Sequence, residues 1–307
     1  MTGVQTCALP ILDEGALKRL KEEHGVASSA LFTDLATALA STQADVGLIA
    51  TPPAIHRANA EALLAAGLDV ITEKPLAGNW EDALAIAEAA RASGKLMMVA
   101  QNYRFRPGCR KVHALLAENI IGDLGYVGVE FHKAADFGPE NFRTLMEYPL
   151  LIDMSIHHFD LLRYMTGANV TEVQADSFRP SWRWYKHEPG LVMSMRLSSD
   201  LIASYLGCWA APGDETSWDG RWRFQGERGT LLWNEHGISV QYADGSARKF
   251  EPDPMPYTDQ AYVLYEFEKA RAEGRQPETS VEDNLHSLEI EFMALESINQ
   301  GGRIRSK

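Results

Sequence analysis

The chain has 307 residues, 45% hydrophobic and 23% charged, the balance of a globular protein with room for one large domain or two ordinary ones. Its 29 Lys and Arg against 42 Asp and Glu give a formal net charge of -13, which argues against nucleic acid or an anionic membrane as the main partner. Cys7, Cys109 and Cys208 show no zinc or redox spacing. No metal site and no disulfide framework are therefore expected, and a reducing, cytoplasmic setting is. No apolar run is long enough to span a bilayer.

Residues 1–11 (MTGVQTCALPI) have no clear period and are broken by Gly3 and Pro10. They are expected to stand outside the fold, as a translated adapter sequence or an unstructured leader. From residue 13 the pattern is regular. Residues 13–24 read as a charged helix closed by Gly25, and 33–39 as a short capped helix. The apolar run 44–50 reads as a strand buried on both faces, stopped by Pro52 and Pro53. A helix over 54–66, a strand over 68–72, a helix over 79–93 and a strand over 96–100 follow. Such alternation predicts an α/β, Rossmann-type, doubly wound parallel sheet over 12–106, with ligands beyond the carboxyl ends of its strands.

After Pro107 the composition changes. Helices are expected over 110–119, 150–165, 258–273 and 281–299, and strands over 126–134, 170–177, 191–197, 201–209, 222–224, 229–234 and 238–242. Many of the strands carry Val, Tyr, Trp and Thr. Residues 107–307 thus read as an α+β domain with a mostly antiparallel sheet.

Three strand ends carry chemistry. Thr51-Pro52-Pro53 with His56 forms a rigid turn against which a dinucleotide could lie. Glu73-Lys74-Pro75 directly follows a buried strand, where a partly desolvated Lys can polarise a substrate oxygen; a lone Lys would more often be a solvated loop residue. Gln101, Asn102 and Arg104 offer polar and cationic groups at the third end, although Arg104 could equally belong to an ion pair. Within the helix 150–165, spacings of four and three put Asp153, His157 and Asp160 on one face. His is the natural proton acceptor near neutral pH, and a neighbouring carboxylate can orient it. His158 faces elsewhere and reads as a packing residue. Trp182, Trp184, Trp209, Trp218 and Trp222 are more often core than sugar platforms.

Taken together, Glu73-Lys74-Pro75, the helix 153–160 (DMSIHHFD) and the tail residues 279–283 and 296–297 resemble the Gfo/Idh/MocA family of oxidoreductases (glucose–fructose oxidoreductase, inositol dehydrogenase and relatives), from about residue 13 nearly to the end. The resemblance implies an NAD- or NADP-dependent dehydrogenase or reductase acting on a hydroxyl-bearing carbon of a sugar, cyclitol or derivative. It implies Lys74, Asp153 and His157 as catalytic residues and Glu73-Lys74-Pro75 as a cofactor motif. With the strand-end positions, the expected cofactor-binding residues are Thr51, Pro52, His56, Glu73, Lys74, Pro75, Gln101 and Asn102, and the expected substrate-binding residues are Lys74, Arg104, Asp153 and His157. The resemblance also implies a homo-oligomer, dimer or tetramer.

Departures from the family pattern are Ser155 in place of a Gly and Glu147-Tyr148-Pro149 where a Gly-rich run often sits. The family opens with a strand and a Gly-x-Gly-x-x-Gly turn that holds pyrophosphate at a helix N-terminus. No such pattern occurs in this sequence. An N-terminal strand–helix unit of roughly 30 residues is therefore expected to be missing, with the residue that would tell NAD from NADP. Such a chain is expected to bind cofactor poorly and to be aggregation-prone, which leaves its own activity open. Two other functions stay open at this point: a non-enzymatic dinucleotide-binding regulator, and an NAD-using lyase or glycosidase with no net redox change.

Overall fold

The computed structural model describes residues 9–10, 14–182 and 184–306. Of the leader 1–11, therefore, only Leu9–Pro10 is described. The chain divides into two compact units, Met1–Val99 with Glu273–Val281, and Ala100–Ala272 with Glu282–Lys307. No helix among the described residues is long and apolar enough to cross a membrane.

In the first unit, β1 (Leu9–Pro10) pairs in parallel with β2 (Leu31–Phe32), so two residues of the leader do take part in the fold. Helix α1 (Glu14–His24) precedes β2, and α2 (Leu35–Ser41) follows it, capped by Asp34, which accepts from Thr37 N at 2.7 Å. A separate three-stranded parallel sheet has the order β3 (Val46–Ile49), β4 (Asp69–Thr72), β5 (Met97–Val99). Helix α3 (His56–Ala65) connects the first two strands and α4 (Trp80–Ser93) the last two. Asn79 caps α4 by accepting from Asp82 N at 2.8 Å, and Gly94 ends it at φ +67°, a left-handed position that glycine takes without strain. Ala83, Ile86, Ala87 and Ala90 form the buried stripe of α4, as their spacing predicts.

The far edge of β5 is met by the returning segment near residue 280. Val99 N donates to Thr279 O at 2.9 Å, and Thr279 Oγ1 donates to Val99 O at 2.7 Å. Strand β3 departs from expectation. Gly47 and Ile49 are buried, and a Cβ on Gly47 would lie 2.6 Å from Leu63 of α3, but Leu48 is 64% exposed. Helix α3 packs on the Gly47 face of β3, and among the described residues no strand pairs with its outer edge.

In the second unit, α5 (Pro107–Ala117), β6 (Leu124–His132), the short α6 (Phe142–Leu145) and α7 (Ile156–Thr166) precede a run of strands. These are β7 (Val170–Phe178), β8 (Gly190–Leu197), β9 (Ile202–Cys208), β10 (Arg221–Gly226), β11 (Gly229–Asn234), β12 (Gly237–Tyr242) and β13 (Ala247–Phe250). Helices α8 (Asp259–Glu273) and α9 (Val281–Gln300) and the strand β14 (Ile304–Arg305) complete the chain. The nine-stranded sheet has the order β13-β12-β11-β10-β6-β9-β8-β7-β14 and is antiparallel except at β6–β9. One face carries the core, including Trp209, Trp222, Phe131 and Tyr205. A hairpin at Ala243-Asp244-Gly245 joins β12 to β13, with Gly245 at φ +86°.

Candidate active site

In the first unit the sequence-predicted residues sit at the carboxyl ends of β3 and β4. Thr51 is half-buried and Pro52 exposed; Thr51 Oγ1 accepts from Asn59 Nδ2 at 3.2 Å. Strand β4 runs directly into Glu73, whose N–H donates to Ile49 O at 2.8 Å. Glu73 and Lys74 are half-buried and Pro75 is buried, and the Lys74–Pro75 peptide bond is cis.

His56, expected to touch cofactor, does something else. Its ring is fully buried, with Nε2 2.8 Å from Thr51 O and Nδ1 3.1 Å from Leu76 O. The ring lies between two backbone carbonyls, and the N–H of a neutral imidazole can donate to one of them. His56 therefore packs between the β3 loop and the Lys74 loop from a fully buried position.

In the second unit, Gln101 is 1% exposed, and its amide nitrogen and oxygen meet no partner among the described residues. The fully buried amide of Asn284 on α9 shares that property, and sequence reasoning missed it. A buried amide without partners costs about 1–3 kcal/mol. A polar ligand that supplies an acceptor and a donor would recover that cost. The buried Gln101 amide carries the donor and the acceptor that a polar ligand group, such as a carboxamide, can pair with. Asn102, by contrast, donates to Asp259 Oδ1 at 3.3 Å.

Arg104 is not placed to face a substrate. Burial alone would lower its pKa, but the charges of Asp160 and Asp283 outweigh it and the pKa is raised, so the guanidinium stays charged. Its Nε and Nη2 donate to the two oxygens of Asp160 at 2.9 and 2.5 Å, and Nη2 also reaches Asp283 Oδ2 at 2.7 Å. Arg163 closes the group through Asp283 at 3.0 Å and Ser287 at 2.7 Å, and Ser287 Oγ donates to Asp160 at 3.1 Å. Two cations and two carboxylates thus neutralise one another in the interior. Asp160, grouped with His157 by its spacing, belongs to this network.

The segment around His157 is not one continuous α-helix. Leu150–Ser155 is a π-helical turn, and α7 begins at Ile156. Ser155, the departure from the family's Gly, donates its hydroxyl to Leu150 O at 3.0 Å across that turn, the five-residue step of π geometry. Asp153 accepts from Arg143 Nε at 2.6 Å. Arg143 itself lies over the Phe142 and Phe137 rings, 4.5 and 5.3 Å from their centroids. Sequence reasoning missed this arginine, because nothing in the spacing links residue 143 to residue 153.

His157 occupies the first turn of α7, 6% exposed, with its ring stacked on Tyr103 at 4.2 Å and 12°. His158 is the packing residue expected: Nδ1 is 3.0 Å from Tyr205 Oη and Nε2 3.1 Å from Trp218 O. Burial lowers its pKa to about 4. Among the tryptophans, Trp209 and Trp222 are core, whereas Trp182 and Trp218 are 58% and 42% exposed. No group of His, Cys, Asp or Glu that could hold a metal ion occurs among the described residues.

A parallel dinucleotide-type unit followed by an α+β unit with a buried His on a helix fits an oxidoreductase of the nicotinamide-dependent class, and the comparisons agree. Two family models match the chain: "Oxidoreductase family, NAD-binding Rossmann fold" over residues 10–101 and "GFO/IDH/MocA C-terminal domain" over 109–232. The chain belongs to the GFO/IDH/MocA family. It is 25% identical over 319 residues to the D-apiose dehydrogenase of Paraburkholderia graminis, covering 99% of this chain and 84% of that one. It is 28% identical over 211 residues to the myo-inositol dehydrogenase Hyg17 of Streptomyces leeuwenhoekii, covering 67% and 63%. An oxidoreductase from Agrobacterium radiobacter, solved with NAD+, L-tartaric acid and magnesium, shares the fold at a TM-score of 0.87 and 21% identity, covering 97% of this chain and 90% of that one.

Proposed function

We propose that this NAD(P)-dependent oxidoreductase oxidises a secondary hydroxyl of a small sugar, cyclitol or related polyol, or reduces the matching carbonyl. The observation that carries this reading is His157, a buried imidazole stacked on Tyr103 at the start of α7, in a chain of this family. When bound, a nicotinamide supplies the hydride acceptor. His157 takes the hydroxyl proton on an imidazole nitrogen as the carbon–hydrogen bond breaks and the oxygen becomes a carbonyl. Lys74 lowers the charge that develops on that oxygen. Asp153, held by Arg143, supports the proton acceptor, and the amide of Gln101 orients the nicotinamide end by hydrogen bonding. The polyol substrate is supported by the relatives, which are named for D-apiose, myo-inositol and 1,5-anhydro-D-fructose.

The same proposal includes a homo-oligomer, built on the sheet face opposite the core. There Val192 and Leu206 are 45% and 40% exposed and stand side by side in register on β8 and β9. It also includes residence in a reducing cytoplasm, where the buried thiols of Cys109 and Cys208 stay free.

The test is a panel of pentoses, hexoses, inositols and their keto forms, with NAD+ and NADP+, read at the nicotinamide absorbance band. One equivalent of reduced cofactor per oxidised polyol is expected. Product formation with no net change in absorbance would replace this reading with a lyase or glycosidase.

A further inference from the structure

The residues around His157 include a device that neither the motif nor the family match assigns. Tyr103 lies in the 3-10 turn Asn102–Phe105 and is 9% exposed. One group over its ring is the His157 imidazole, at 4.2 Å between centroids and nearly parallel. The other is the Arg106 guanidinium, with Cζ 3.4 Å from the ring centroid. Two planar groups this close to one centroid cannot share a face, so they take opposite faces and the phenol is the middle layer of a stack.

The outer layer is fixed in turn. Arg106 Nη1 donates to Asp219 Oδ1 at 2.7 Å, and Nε donates to Asp259 Oδ1 at 2.6 Å. Asp259 also accepts from Asn102, on the turn that carries Tyr103. It does so from φ +51°, a left-handed conformation uncommon outside glycine that Asp tolerates better than most residues.

We propose that Tyr103 is a positioning residue for His157 and that Arg106, braced by Asp219 and Asp259, presses the ring into place. This rests on the reading of His157 as the proton acceptor. The lone pair of an imidazole lies in the ring plane. Fixing that plane therefore fixes the direction along which a hydroxyl proton can be taken, and small misplacements of a reacting group cost large factors in rate. A guanidinium suits the outer position because it is flat, always charged and favourable over an aromatic face.

The test uses the full chain with 13C-labelled histidine, and the fastest substrate of the polyol panel. In the parent, the Tyr103 ring current displaces the His157 imidazole resonances upfield. Arg106→Gln keeps the tyrosine and releases the brace. It is expected to broaden those resonances or move them downfield, and to lower kcat about 10-fold while leaving KM within about twofold. Tyr103→Leu is expected to lower kcat about 10- to 100-fold, and Tyr103→Phe, which keeps the stack, to restore most of it. Should Arg106→Gln fail to fold, Asp259→Asn loosens the same brace and is read by the same resonances. Parent-like His157 resonances in the folded brace variant, or parent-like kcat in Tyr103→Leu, overturn the proposal. His157→Asn separates it from the reading beneath it. If His157→Asn turns over like the parent, the proton-acceptor role falls. If His157→Asn is inactive while Tyr103→Leu is not, only the stack falls.

Discussion

Arg104 is a buried guanidinium whose ion-pair partners come from distant parts of the chain. It follows a strand end, where a cation suits a substrate, but its partners Asp160 and Asp283 are 56 and 179 positions away, and no local pattern reports such pairings. Asp160 is 1% exposed. Removing the bidentate guanidinium strands a buried charge, so Arg104→Leu is predicted to cost about 3–5 kcal/mol of stability, read from urea unfolding; a loss under about 1 kcal/mol would contradict the closed-network account. His158 carries a pH dependence. Its folded pKa of about 4 lies below the ordinary value of 6.5, so the unfolded chain binds the extra proton first as pH falls. The stability it contributes is whole above about pH 6.5 and is lost progressively toward pH 4, a few kcal/mol in all. A melting temperature that falls steadily between pH 7 and pH 4.5, with the His158 ring still neutral by NMR at pH 5, is the expected result.

At the scale of elements, the parallel strand–helix alternation was legible because apolar runs, Pro stops, Asn and Asp caps and terminal glycines agree. The strands of the second unit were legible because buried and exposed residues alternate, as in Gly190–Leu197. The π-helical turn Leu150–Ser155 was not legible. Its residues satisfy an α-helical pattern equally well, and the extra residue in the turn is set by packing. The four-residue β13 was missed because its residues are mostly exposed and leave no apolar trace. Strand β3 has the composition of a doubly buried strand, yet Leu48 points to solvent on an edge. Exposed apolar edges template aggregation. Leu48→Thr is predicted to raise the concentration at which the chain begins to aggregate, with little change in melting temperature. An unchanged light-scattering onset would show that β3 is not the sticky edge.

For the whole molecule, the motifs showed the kind of chemistry better than the placement of each residue. Lys74, His157 and Gln101 stand where strand ends and a helix start would put them, whereas His56 and Arg104 serve to hold loops and helices. The open face of the nine-stranded sheet carries Val192 and Leu206 flanked in register by Asp176 and Glu130. An apolar centre with a charged rim is the composition of a subunit interface. Val192→Lys combined with Leu206→Lys is predicted to convert a dimer or tetramer to monomer by light scattering coupled to gel filtration, with a parent already monomeric contradicting the assignment.

The central claim is hydride transfer coupled to proton removal by His157. The most direct measurement is reduced-nicotinamide formation by the parent and by His157→Ala, side by side, on the best polyol of the panel with the cofactor saturating. Stoichiometric reduction by the parent, with a rate at least about 100-fold lower in the folded variant, is the predicted result. Equal rates, or a parent that binds polyol and dinucleotide without ever reducing the cofactor, would contradict it.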